Sequence, residues 1–278
     1  MMIKIGLRDL PPFLFAGSRM VLASAVLLPF AVRAGLRGYG RRSWGFLIGL
    51  GLLQIGIPYA LLFSGQQWVP SALAAVLFAT FPVWLALLAH AFLPDQRLTL
   101  RTLLAALLGI AGIAVIEIPA LRGQTLSPRV AAGGALVVTA SLLIAFANVL
   151  VRKELRDLPP VVVTFGQVLS GALFLVALAS ALETGRPASF TPRAAIAVAY
   201  LAVFGTVVTY LLLFWLLPRV PMSAIGAIPL LDTSIAVTLG VIVLRERVGW
   251  PLLVGGALVL SGAALANQPV SQTVPQGS

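Results

Sequence analysis

The sequence predicts an all-α integral membrane protein folded as an inverted-repeat helical bundle, and three observations carry that expectation. Of its 278 residues, 60% are hydrophobic and only 10% charged, whereas soluble domains carry about 25% charged residues. The apolar residues gather into nine runs of spanning length, parted by short clusters of Arg, Pro, Gly and Asp. A hexapeptide, LRDLPP, occurs twice, at Leu7–Pro12 and Leu155–Pro160.

A chain with a mean hydropathy of +1.04 has too few polar side chains to cover a soluble core. A crossing helix needs about 20 largely apolar residues. The nine runs of that kind are Pro11 to Val32, Trp44 to Gln66, Ser71 to Leu93, Leu98 to Ile118, Arg129 to Val151, Pro160 to Leu182, Arg193 to Leu217, Val220 to Leu244, and Trp250 to Ala266. Backbone amides must be paired inside hydrocarbon, and long runs rich in Leu and Ala suit helices better than the alternating strands of a barrel. The polar, proline-containing end of the chain leaves 269–278 as a disordered tail.

Each LRDLPP copy leads into an apolar run, and the likeness continues: Tyr59 stands before Val69 and Pro70 at the spacing at which Tyr210 stands before Val220 and Pro221. Asp95 then falls opposite Glu246. Residues 1–126 and 127–268 thus read as two copies of one helical unit. Five crossings separate the hexapeptides, and an odd number turns the second unit upside down. A complete helix precedes the second hexapeptide and only six residues precede the first. The repeat therefore leads us to expect ten helices in the full fold, with the first of them missing here.

The formal charge of +11 is nearly all arginine, placed mostly between the apolar runs. That distribution orients helices and meets lipid head groups; it is not a nucleic-acid surface. The dense basic loop of Arg33, Arg37, Arg41 and Arg42 belongs in the cytoplasm, which makes the C-terminus cytoplasmic and leaves Arg245 and Arg247 outside. The absence of cysteine excludes disulfides and thiolate chemistry.

Six polar residues inside the runs are the candidate substrate contacts: Arg19, Tyr59, Asn148, Gln167, Tyr210 and Asp232. Asp232 stands about 12 residues into its helix, roughly 18 Å deep and near the bilayer centre. It either carries a proton or a substrate amine, or is a hydrogen-bonded structural acid. Arg19 and its repeat partner Gln167 should both turn inward, Arg19 either clamping carbonyls or binding a substrate carboxylate. Ser141, Asn148 and Arg152 share one helix face, as do Tyr59 with Gln66 and Thr206 with Tyr210, which either joins helices or lines a polar path.

Pro58, Pro82 and Pro229 free the carbonyls of Gln54, Phe78 and Ile225 and should kink three helices. His90 and Glu117 fall near helix ends and read as interfacial, as do Trp44, Trp68 and Trp250. Gly45 with Gly49, Gly109 with Gly112, and Gly255 with Gly262 mark close helix contacts. No metal-ligand cluster, nucleotide loop or nucleophile–base pair is present in the sequence, so the chain reads as neither an enzyme nor a cofactor protein.

Three stretches carry a family resemblance: LRDLPPFLFAGSRM with Arg19, FATFPVWLALLAHAFLPD with Pro82 and Asp95, and IPLLDTSIAVTLGVIVLRERV with Glu246. In order and spacing the chain resembles the EamA-type transporters of the drug/metabolite transporter superfamily over nearly its whole length. The resemblance implies an inverted five-plus-five arrangement, a central cavity, and export or exchange of small metabolites, amino acids among them. It implies an inner (plasma) membrane location. Two departures stand out: the first family helix is absent, and Asp232 is followed by Thr233 where the family has proline.

The expected function is secondary transport of a small-molecule substrate by alternating access, with proton coupling through Asp232 and homodimer formation left open. The alternative is a non-transporting membrane protein or an inactive shortened fragment.

Overall fold

A computed structural model describes residues 2, 6–121, 127–229, 231 and 250–267, and among these all regular structure is helical. The helices are α1 (Pro12–Arg33), α2 (Arg41–Gly65), α3 (Ser71–Phe78), α4 (Phe81–Phe92), α5 (Leu100–Leu121), α6 (Pro128–Glu154), α7 (Pro160–Leu182), α8 (Pro192–Leu216), α9 (222–229) and α10 (Trp250–Asn267). Six spans are long and apolar enough to cross a membrane: α1, α2, the stretch Leu73–Phe92 across α3 and α4, α6, α7 and α8. Asp232, Glu246, Arg245, Arg247 and the tail lie outside the described residues, as does the side chain of Glu117.

Proline starts the helices, because its missing amide is one the first turn leaves unpaired anyway. Pro12 and Pro160 begin α1 and α7; Pro128 and Pro192 begin α6 and α8, behind Ser127 and Thr191, whose hydroxyls accept from the Val130 and Ala194 amides at 3.3 and 3.2 Å.

Helices with matching sequence pack on each other. α1 lies against α7, and α5 against α10. On α1 the buried stripe is Ala16, Met20, Ala23 and Leu27; on α7 it is Val168, Ala172, Leu175 and Ala179, both at helical spacing and both in the main core. α5 and α10 approach through glycine: a β-carbon at Gly112 would lie 2.6 Å from the Gly255 carbonyl, and one at Gly262 2.6 Å from that of Ala105. The expected contact at Gly109, Gly112, Gly255 and Gly262 is therefore present. Gly45 and Gly49 correct the third pair, for nothing lies within 4 Å of a β-carbon at either; their face opens on a groove lined by Arg42, Phe46 and Leu150.

The proline kinks take two forms. Before Pro58 the chain makes a π turn, Leu52–Gly56, in which the Ile57 amide reaches back to the Leu52 carbonyl. The wider turn moves the Gln54 carbonyl away from the proline ring, which would strike it in a regular α-helix. At Pro82 the helix breaks outright: α3 ends at Phe78 and α4 restarts at Phe81, with Pro82 in its first turn. Thr80 pins the break, donating to the Leu77 carbonyl at 2.7 Å, sharing a 3.3 Å contact with the Ser141 hydroxyl of α6 and accepting from the Trp84 indole at 3.1 Å.

A second π turn, Val203–Val208 in α8, contains no proline. There Thr206 and Thr209 donate to the carbonyls of Leu201 and Phe204, five residues back, at 3.1 and 2.8 Å. Leu52 and Val203 each stand seven residues before a tyrosine, Tyr59 and Tyr210.

Candidate functional site

The two π turns deliver their tyrosines to a common place. Arg19, on the eighth position of α1 and so roughly 10 Å below its start, donates from Nη2 to the Tyr59 hydroxyl at 2.8 Å, and its guanidinium lies 5.3 Å from the Tyr59 ring centre. Tyr210, 8% exposed, sits in the main core against which Tyr59 packs, within electrostatic reach of Arg19. Side chains on a helix lean toward its N-terminus, so tyrosines on α2 and α8 both reach into the middle of the bundle.

Arg19 is 6% exposed, and inserting a charge at helix centre costs about 2.5–3.5 kcal/mol on insertion scales. A charged hydrogen bond returns about 1.5–3 kcal/mol and a desolvated cation–π contact about 2 kcal/mol. Tyr59 thus offsets most of the penalty without neutralising the charge. The Nε of Arg19 has no hydrogen-bond partner, and among the described residues no carboxylate pairs with Arg19.

Gln167 on α7 is fully buried and both atoms of its amide are unpartnered. Asn148 on α6 and Gln54 in the first π turn, each 2% exposed, leave their side-chain oxygens unpartnered as well. Buried polar groups are ordinarily satisfied, so orphaned side-chain amide atoms on three packed helices set this interior apart from the rest of the core. Gly51 sets the approach of α2 to α7 here, since a β-carbon on it would lie 1.9 Å from the Ser170 hydroxyl and 2.5 Å from the Gln167 carbonyl. An aromatic run, Tyr59–Phe63–Phe13, with ring centres 6.2 and 6.3 Å apart, leads from Arg19 toward the start of α1.

Of the six expected contacts, the structure joins Arg19, Tyr59 and Tyr210; Asn148 and Gln167 are buried on their own helices with free hydrogen-bonding atoms, and Asp232 is outside the described residues. Gln54 was missed as a side chain, although a lone amide in the middle of an apolar run is the same signal that singled out Asn148 and Gln167. On the expected shared face of Ser141, Asn148 and Arg152 the three residues differ in what they hold. Ser141 joins helices, Asn148 is unpartnered, and Arg152 ties loops.

Both ends of the bundle are fastened. Where α1 begins, the carboxylate of Glu183 accepts from the Phe13 and Leu14 amides at 2.9 and 2.8 Å, while Asp9 accepts from the Ser189 amide at 3.0 Å through its carbonyl and from the Thr191 hydroxyl through its side chain. Where α7 begins, Arg152 bonds Asp95 at 2.9 Å and the carbonyls of Leu217 and Val220 at 3.2 and 2.5 Å. Beside it Gln96 accepts from the Met222 amide at 3.2 Å, capping α9. Burial alone would raise the Asp95 carboxyl, but the Gln96 hydrogen bond and the charge of Arg152 outweigh it and hold it below the usual carboxylate value.

The family model described as the EamA-like transporter family matches residues 1–118 and 131–268. The chain belongs to the EamA-like transporter family. An uncharacterized transporter of Archaeoglobus fulgidus is 25% identical over 266 residues, covering 95% of this chain and 91% of the relative. The uncharacterized transporter YoaV of Bacillus subtilis is 24% identical, covering 94% and 88% of the two chains. The uncharacterized inner membrane transporter YedA of Escherichia coli is 28% identical over 242 residues, covering 86% and 76%. A solved crystal structure superimposes with a TM-score of 0.80 at 21% identity, covering 93% of this chain and 88% of the other, and shares the fold. This EamA-like protein is a multi-pass membrane transporter, not an enzyme.

Proposed function

We propose that this EamA-like protein moves a small metabolite by alternating access through the interior bounded by Arg19, Tyr59, Asn148, Gln167 and Tyr210, with Asp232 on the same path. The observation that carries the reading is the set of orphaned buried groups, Arg19 Nε, the Gln167 amide and the side-chain oxygens of Gln54 and Asn148, in a bundle fastened at both ends. A permanent structural role would leave them paired; a passing ligand and water pair them in turn.

The pairing of α1 with α7 and of α5 with α10, helices at matching places in residues 1–126 and 127–268, supports nine crossings in two inverted units that rock against each other. The end where α7 begins gathers Arg33, Arg41, Arg42, Arg152 and Lys153 and is assigned to the cytoplasm with the C-terminus, in the plasma membrane. Lipid head groups are its partners there, and a homodimer is compatible with the lipid-facing surfaces.

Reconstituted protein assayed for counterflow with anionic, zwitterionic, neutral and cationic metabolites tests this. Flux of one class above empty liposomes is expected; no flux of any class overturns the reading. Asp232→Asn should abolish the pH dependence of that flux, and an unchanged pH dependence removes Asp232 from the coupling step.

A further inference from the structure

Arg19 carries a charge that the protein balances only in part. Its Nε and Nη2 lie on one edge of the guanidinium, the edge that grips a carboxylate side-on through two parallel N–H bonds. Tyr59 takes Nη2 at 2.8 Å, and Nε, in a side chain 6% exposed, has no partner. Tyr59 is neutral, and it accepts this bond with an oxygen whose own hydrogen remains to be donated. The Tyr59 hydroxyl accepts from Arg19, and even where one of the phenols of Tyr59 and Tyr210 donates to the other, one O–H is left over for an acceptor.

We propose that the substrate completes this site: a small organic anion whose carboxylate lies along the Nε–Nη2 edge of Arg19, receives the spare phenol hydrogen, and rests its body on the Tyr59–Phe63–Phe13 run. The inference deepens the transport reading and rests on it for the path. The other unpartnered interior groups, Gln54, Asn148 and Gln167, are neutral amides. They hydrogen-bond hydroxyl or amino groups on the substrate as it passes, and they add no charge that would hold an anion permanently. The buried carboxylate of Glu183 is taken by the Phe13 and Leu14 amides, so an organic cation is offered no free countercharge there and is repelled by Arg19.

The test uses the full chain in detergent, with lactate and pyruvate as carboxylate probes, methyl lactate as the uncharged twin of lactate, and choline and glucose as a cation and a neutral. Lactate or pyruvate should raise the unfolding temperature in a saturable way, with methyl lactate at least tenfold weaker. Arg19→Lys should weaken carboxylate binding about tenfold and Arg19→Gln should abolish it with the size-exclusion profile unchanged. Methyl lactate binding as well as lactate, or choline or glucose binding where neither carboxylate does, overturns the proposal on the unmodified protein, whether or not the variants fold. Counterflow on the same preparation separates the two readings. Carboxylate binding without any flux keeps the anion site and overturns transport; choline or glucose flux without carboxylate binding does the reverse; neither binding nor flux with any probe overturns both.

Discussion

The same six residues, LRDLPP, open α1 and α7, yet the two ends of the bundle that they mark are fastened by opposite chemistry. At the start of α1 an anion, Glu183, holds two backbone amides, and Asp9 of the hexapeptide is tied to the loop after α7. At the start of α7 a cation, Arg152, holds two backbone carbonyls and Asp95, while Asp157, the twin of Asp9, is 93% exposed. The repeat dictates where a helix starts and which face it buries. The charges that close the ends, Glu183 at one and Arg152 at the other, come from outside the hexapeptide and were free to differ. One end carries its charge in a buried carboxylate, the other in a guanidinium with a partly exposed partner.

If that contrast is right, the largest effect comes from the α1 end. Glu183→Ala should lower stability by about 2–3 kcal/mol, the range for a hydrogen bond to a buried charged group, read as thermal or denaturant unfolding in detergent. Asp157→Ala should stay within about 0.5 kcal/mol; equal losses would erase the contrast. Asp9→Ala belongs between them, at about 1 kcal/mol.

Next is Arg152→Gln, which should loosen the α7 end alone. Because the chain has no cysteine, a single Thr164→Cys, buried one turn into α7, reports on that end without background. Its maleimide labelling should rise about tenfold in Arg152→Gln, some 1.4 kcal/mol of opening, and stay unchanged in Glu183→Gln. A rise in both variants would mean the ends open together.

Gln167→Leu sharpens the contrast between the repeat partners Arg19 and Gln167. Replacing a buried amide whose two polar atoms are unpartnered should leave stability unchanged or raise it by up to about 1 kcal/mol while substrate flux falls severalfold. A stability loss instead would make Gln167 a packing residue.

The smallest effect is the pH response of Asp95. Its carboxyl is held below the usual value in the folded state, so its pairing contributes above the unfolded carboxylate range, about pH 4, and fades as pH falls through the lowered folded value. Asp95→Asn should cost under about 1 kcal/mol at neutral pH, given that the carboxylate is largely exposed. The difference from the parent should vanish in acid.

Six of the nine expected crossings were legible, because runs of apolar residues at spanning length admit few other structures, and the burial of Arg19 and Gln167 followed from the cost of leaving either in lipid. Tyr59 and Tyr210 were found from matched spacing in the repeat and from the polar faces they share with Gln66 and Thr206. Glu183 was not, because an acid just past a helix end looks like any solvated loop residue, and its partners are 170 and 169 positions away in sequence. Pro58 and Pro82 announced distortions, but whether a proline yields a π turn or a full break depends on what holds the freed groups, here the Thr80 hydroxyl at the break. The π turn in α8 has no proline to announce it; only threonines whose hydroxyls reach back five residues mark it.

Those two π turns act as indexing devices. Were the same residues of 52–56 or 203–208 wound as a regular α-helix instead, everything beyond them would rotate by about 100°. Tyr59 or Tyr210 would swing off the interior and Arg19 would lose its phenol, with hydropathy almost unaltered. In each half the choice between facing the interior and facing lipid therefore hangs on the phase of one helix, set by one inserted position rather than by the identity of the side chains that make the contact.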